Sequence, residues 1–227
     1  MKASILKIAA GSLFAVLSAS GQLVITEVMS NSDNPGGSGN GDWFEFYNAG
    51  PTDIDLTGYT WDDTSDQSND PTAFGSITIE AGTFVIVVDE NSGNTTEWVD
   101  DVWGVRSLVD YNDLIVLSDA AWGPGLSASG DAVYIFDENN DLVTGVTFGD
   151  SDGGGKSFAW DTSGNFLGFS TAGTGGAYVA VGDGDSGAPG LDVGSPGFAS
   201  VPEPEFYGAV VGILAIGFAA VRRRRRA

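Results

Sequence analysis

From Leu23 to Gly149 the apolar residues come in short runs: LVITEVM, WFEFYN, SITIE, TFVIVVD, DLIVLSD, DAVYIFD and DLVTGVTFG. Each is rich in Val, Ile, Thr and aromatic side chains, and clusters of Gly, Asp, Asn, Ser and Pro separate them, which is the pattern of strands joined by turns. A strand turns alternate side chains to opposite faces, so seven such runs predict an all-β body of two antiparallel sheets packed face to face. VYIFDENNDLVTGVTF is the clearest hairpin, with its turn around Glu138, Asn139 and Asn140. A helical period is weak everywhere; TTEWVDDVWGV, Thr95 to Val105, allows at most one short helix.

The texture changes after Phe148. Residues 149–200 hold 15 glycines in 52 positions, and only KSFAW and AYVAV read as strands. This closing segment is expected to form long loops that complete the sandwich or, in part, a flexible stalk. Trp43, Phe46 and the FVIVV run should then exchange their amide hydrogens slowly, and Gly149 to Gly176 faster.

The two ends differ from the body. MKASILK and the apolar Ile8–Leu17 run precede SASG, the pattern of a signal peptide over residues 1–21 that is cleaved between Ser20 and Gln22. At the other end, Phe206 to Val221 is 16 residues without charge, about 24 Å as a helix. Arg222, Arg223, Arg224, Arg225 and Arg226 follow it, so a membrane helix over 206–221 is expected to keep the arginines cytoplasmic and the body outside. The plan is therefore residues 1–21 as leader, 22–200 as the body and 201–227 as tail.

Charge and the missing residue types narrow the function. The chain has 31 acidic and nine basic residues, and only Arg106 and Lys156 stand between the leader and the arginine run, so the exported part carries a formal charge of −29. Such a surface repels nucleic acid and anionic lipid, and no nucleic-acid partner is expected. With no Cys and no His, the chain lacks disulfides, the usual zinc, copper and iron ligands, and any Ser/His/Asp or Cys/His catalytic set.

Several of the runs carry a family likeness. LVITEVM, GDWFEFYNAG, DIDLTGYTWDD, IEAGTFVIV, SGDAVYIFDENNDLV and SGAPG with GSPG resemble, in order and spacing, the lamin-tail domain of exported bacterial proteins, from about Leu23 to Gly197. Glu27, Asp42 to Asn48 and Asp55 to Tyr59 carry most of it. The resemblance implies an immunoglobulin-like β-sandwich that serves as an accessory or binding module. Physically, Trp43, Phe44, Phe46 and Tyr47 fill one strand, Asn48, Gly50 and Pro51 make a turn, and Gly58 and Gly82 suit positions with φ > 0.

The tail has a second likeness. Pro202, Glu203 and Pro204, the uncharged run and Arg222 to Arg226 together resemble the PEP-CTERM sorting signal of Gram-negative bacteria, although Glu205 stands where a smaller residue is commoner. That resemblance implies an exosortase-type membrane transpeptidase as partner, cells that make exopolysaccharide, and loss of the arginine run on processing. A plain retained anchor is the alternative.

Candidate chemistry is limited to oxygen ligands and indoles. The acidic clusters 62–70, 137–141, 149–155 and 182–187 suit calcium, with Asp150, Asp152, Asp183 and Asp185 as the expected ligands because flanking glycines let the backbone fold round an ion. Asp137, Asn139 and Asp141 begin an EF-hand spacing, but Leu142 and Phe148 break it. Solvated turns that bond their own backbone are the competing reading. Trp43 and Trp160 read as core; Trp98, Trp103 and Trp122 are candidates for an exposed platform that stacks on a sugar or a protein.

The expected function is an exported, non-catalytic surface or extracellular-matrix module without a certain cofactor. It would reach the cell surface through the inner membrane and there meet exopolysaccharide or another surface protein. The alternatives are a calcium-dependent carbohydrate-binding module and a secreted hydrolase using paired carboxylates.

Overall fold

The computed structural model describes residues 23–33, 41–88, 98–105, 114–118, 124–151, 154–182 and 190–199. The leader, the 201–227 tail with its membrane segment, and Trp122, Asp152, Asp183 and Asp185 lie outside these residues. Among the described residues no helix is long and apolar enough to cross a membrane.

The seven apolar runs all form strands, and shorter strands fill the gaps between them. The order is β1 Leu23–Met29, β2 Trp43–Asn48, β3 Ile54–Asp55, β4 Thr60–Asp62, β5 Thr72–Ala73, β6 Thr78–Ile79, β7 Phe84–Val88, β8 Leu114–Ser118, β9 Asp131–Phe136, β10 Leu142–Phe148, β11 Phe158–Trp160, β12 Phe166–Phe169, β13 Tyr178–Val179 and β14 Val193–Gly194. A six-stranded sheet runs β12-β11-β1-β2-β7-β8 and a four-stranded sheet runs β10-β9-β4-β5; β13-β14 and β3-β6 are small ribbons.

The fold is nearly all β, and the two larger sheets pack face to face, consistent with an immunoglobulin-like sandwich. Ile25, Phe44, Phe46, Val85, Val87 and Trp160 of the larger sheet meet Trp61, Val133, Ile135 and Phe148 of the smaller one. Phe44 and Trp61 touch across the gap with ring centroids 4.8 Å apart.

Two expectations need correction. Pairing is not all antiparallel: β8 lies parallel to β7, Phe84 opposite Leu114 through Val88 opposite Ser118. A parallel neighbour needs a crossover, and the crossover is where the short helix falls. Trp98–Val102 form one wide helical turn, closed by the Trp103 N–H donating to the Trp98 carbonyl at 3.0 Å, five residues back. Nor is the closing segment all loop, since β11 and β12 extend the six-stranded sheet beyond β1. Phe158 and Trp160 of β11 are buried, while FLGF of β12 is a short edge strand with a glycine inside, too weak a pattern to read as a strand.

The crossover also covers the back of the sheet. Met29, Trp43, Ile86 and Val88 point away from the sandwich and are buried by Trp98, Val99, Val102, Trp103 and Val105. Every residue of β1 and all but Tyr47 of β2 are therefore buried, whereas a one-sided sheet would leave alternate residues wet. The turns behave as their residues suggest. Asn48 Oδ1 accepts the Gly50 N–H at 3.0 Å, and Gly58 and Gly82 have φ of 85° and 83°.

Candidate functional site

A buried acidic pair sits on the back of the sheet. β1 and β2 pair Ile25 with Phe46 and then Glu27 with Glu45, so Thr26 is an extra residue, a β-bulge. Without it, Glu27 would share the sandwich face with Ile25; with it, Val28 takes that face and Glu27 turns to the back. Glu45, one residue from Phe44 and Phe46 on β2, also turns to the back. The two carboxyls are cross-strand neighbours, and each residue is 0% exposed.

Hydroxyls and amides surround the pair. Glu27 accepts hydrogen bonds from the Ser195 amide at 2.8 and 3.1 Å, the Ser195 hydroxyl at 2.8 Å, the Ser170 hydroxyl at 3.2 Å and the Ser157 hydroxyl. Glu45 accepts the bulge hydroxyl of Thr26 and the Gly197 amide, each at 2.6 Å. All four carboxyl oxygens are engaged, and among the described residues no Lys or Arg contributes to the field at either group.

Burial pushes the Glu27 carboxyl up from 4.5 to about 7, against the opposing pull of its hydroxyl and amide donors. Burial first, and the charge of Glu27 second, hold Glu45 well above the ordinary carboxylate range. Two like charges in one dry site cannot both form cheaply, so burial and mutual repulsion both favour the neutral form of these carboxyls. Tyr178 reports the same environment. Its phenol is raised by burial and then by the two carboxyls, and it donates to the Trp103 carbonyl at 3.1 Å.

The Ser195 and Gly197 amides belong to a strap, residues 190–199, laid over the back of the sheet. Its near end is tied to the β1–β2 loop, where Asp192 accepts the Asp33 amide at 2.8 Å and the Ser32 hydroxyl. Its middle passes so close that a Cβ on Gly194 would lie 3.0 Å from Glu27 Oε1, 3.0 Å from the Trp103 ring and 3.1 Å from the Trp43 ring. The arrangement is closed to solvent. It binds a backbone segment of its own chain and offers no cleft in which two carboxylates face a substrate.

The residues expected to carry chemistry are placed elsewhere. Trp98 and Trp103 are 1% exposed, so they form no surface platform. Their indoles both pack edge-on to Trp43, with centroids 5.6 Å from it, because the back of the sheet needs a large apolar cover. Asp150 is exposed just past β10. Asp137 Oδ1 takes the Asn139 and Asp141 amides at 2.8 and 2.9 Å, and Asp62 Oδ1 takes the Thr64 amide at 2.8 Å, so these clusters bond their own turns. Beside Asp62, burial lifts Asp63 to about 6. Among the described residues no group of three or more acidic side chains is arranged to hold a metal ion.

A two-sheet β fold whose polar centre is a buried carboxyl clamp describes a module held together from within. The chain belongs to the lamin tail domain family, whose model matches residues 17–150. No curated protein matches the sequence closely enough to count as a relative. The family match stops short of the Gly197 limit expected from the motifs. Glu27, Glu45 and Thr26 thus come from the family region, and Ser157, Ser170, Ser195 and Gly197 from the segment after it.

Proposed function

We propose that this protein is an exported, non-catalytic module of the cell surface or extracellular matrix, delivered through its tail by an exosortase-type transpeptidase. The observation that carries the reading is the state of its chemically most unusual groups. Glu27 and Glu45 have the raised affinity for protons that a general acid needs, yet both are fully buried and all their oxygens hold structural donors. A buried carboxyl pair given over to holding a strap suits a domain selected for durability outside the cell, where a chain without Cys has no disulfide to use. The tail motif at Pro202 to Pro204 with Arg222 to Arg226 supplies the route, and the acidic surface suits a hydrated polysaccharide matrix.

The test is intact-mass analysis of the protein from the envelope and matrix of a Gram-negative host with the sorting machinery. Residues 1–21 and the arginine run should both be missing, and material should be found outside the cell. Recovery of the arginine run from every fraction would leave a plain membrane anchor. The mature protein applied to an exopolysaccharide and glycan array, with calcium and with chelator, then separates matrix binding from a purely structural role.

A further inference from the structure

The strap is fastened to the sheet in an unusual way: two backbone amides, Ser195 and Gly197, donate to two adjacent carboxyls on neighbouring strands. An amide donor binds a carboxylate more strongly than a protonated carboxyl, so the strap's bonds favour ionisation, but the site also has to hold both acids side by side with no Lys or Arg against them among the described residues. One proton between them makes the pair a single negative charge matched by six hydroxyl and amide donors. Removing that proton sets two negative charges against each other in a dry site, and the quickest relief is for water to enter from the strap side.

The other described walls belong to packed elements. β1 and β2 carry the carboxyls and are the centre of the sheet, β11 lies beside β1, and the helical turn is packed by three tryptophans. Among the described residues the hydrogen bonds of the strap's last turn are the Gly197 and Ser195 bonds to the pair and the Phe198 amide to the Ser195 carbonyl at 2.8 Å, with Phe198 lying against Gly176. Upstream it is tied more firmly, with the Val193 amide on the Gly155 carbonyl at 2.8 Å and the Ala180 amide on the Asp192 carbonyl at 2.8 Å.

We infer that Glu27, Glu45 and residues 195–198 form a proton-dependent fastening: with one shared proton the turn is closed on the sheet, and loss of that proton to solvent opens the turn while both cores stay folded. The groups that face the pair agree with this. Tyr178 approaches from β13 and stays protonated, Ser157 on β11, Ser170 after β12 and Ser195 on the strap offer hydroxyls, and Thr26 offers its own from the bulge. Asp192 is turned to Ser32 and Asp33, Asp100 and Asp101 are exposed on the helical turn, and Lys156 is exposed beside β11. None of these supplies a compensating positive charge.

Hydrogen exchange of the full chain, followed by mass spectrometry and corrected for the intrinsic pH dependence of exchange, tests the proposal. From pH 5.5 to pH 8.5 the protection of a peptide covering 195–198 should fall about tenfold relative to one covering β7. Glu45→Gln keeps an acceptor for Gly197 and leaves a single ionisable carboxyl in the site, so it should remove most of that fall. An unchanged protection ratio in the wild type, or a full response in Glu45→Gln, would overturn the inference. Should Glu45→Gln not fold, carboxyl carbon NMR of the wild type decides. At least one of Glu27 and Glu45 must titrate between pH 5.5 and pH 8.5 with a linked change at the Gly197 amide; two carboxyls ionised throughout would sink the proposal.

Discussion

The two faces of the six-stranded sheet are built on different physics. The sandwich face buries Ile25, Phe44, Phe46, Val85 and Val87 against a second sheet, with its strength in apolar area. The back face buries Trp43 under Trp98 and Trp103, but beside them it seals two carboxyls, each 0% exposed, that oppose each other's ionisation. One face is indifferent to pH and gains from every methylene; the other is specified by hydrogen-bond partners and is sensitive to a single proton. The bulge at Thr26 is what separates them, because it keeps Ile25 and Val28 on one face and sends Glu27 to the other.

The largest effect should come from the sandwich face. Phe46 is 0% exposed and packs on Phe74 at 5.2 Å, so Phe46→Ala should cost about 4 kcal/mol, with the same loss at pH 5.5 and pH 8. Denaturant melts at the two pH values check it. A loss that differs strongly between them would mean the faces are coupled through β2 rather than independent.

Next in size is the pH response of the wild type, which belongs to the back face. The Glu27 carboxyl is raised in the folded state from 4.5 to about 7, so the folded chain binds the more protons in that window. Stability from this source is fully present below about pH 4.5 and is lost as pH rises to about 7, by roughly 3 kcal/mol in total. Surface acids are ionised above about pH 5.5, and Asp63, lifted to about 6, is another group that titrates in this window, so melting an Asp63→Asn background at fixed ionic strength from pH 5.5 to pH 8 isolates the pair. Glu27→Gln with Glu45→Gln should flatten the curve; a wild-type curve already flat would show both carboxyls ionised.

How far the sequence carries this comparison depends on the face. Runs such as WFEFYN and FVIVV announce strands because their composition is local, and all seven became strands. The double burial is not legible in the same way, because an alternating strand and one covered on both sides differ only in what arrives later in the chain. Glu27 and Glu45 did leave a trace, as charged residues set inside VITEVM and WFEFY where their neighbours are apolar. What hid the site was register: a bulge at Thr26 adds one residue without any glycine or proline to mark it. The serine partners lie in a glycine-rich segment whose strands are two to four residues long. Trp98 and Trp103 misled for a related reason, since Asp and Gly beside them suggest a wet loop while the sheet's back face, invisible in sequence, claims the rings.

The smallest effects compare two glycines that differ in why they are glycine. Gly194 carries no positive φ, but an added methyl would meet Glu27 Oε1 and two indoles at 3.0–3.1 Å. Gly194→Ala is therefore a packing test of the back face, expected to cost about 2 kcal/mol and to lift the strap from the pair. Gly82 has φ of 83° and open space, its nearest neighbour being Tyr47 Oη at 3.8 Å, so Gly82→Ala should cost only about 1 kcal/mol of backbone strain. The pH dependence separates them more sharply than the size. With the strap lifted, water reaches Glu27, its proton affinity falls toward the ordinary range, and the pH response of Gly194→Ala should shrink. Gly82→Ala sits in the turn before β7, away from both carboxyls, and should shift the whole curve down without changing its slope. Equal slopes in the two variants would mean that the burial raising Glu27 comes from Trp43 and Trp103 rather than from the strap, leaving the serines and Gly197 as passengers on a pair sealed by the tryptophans.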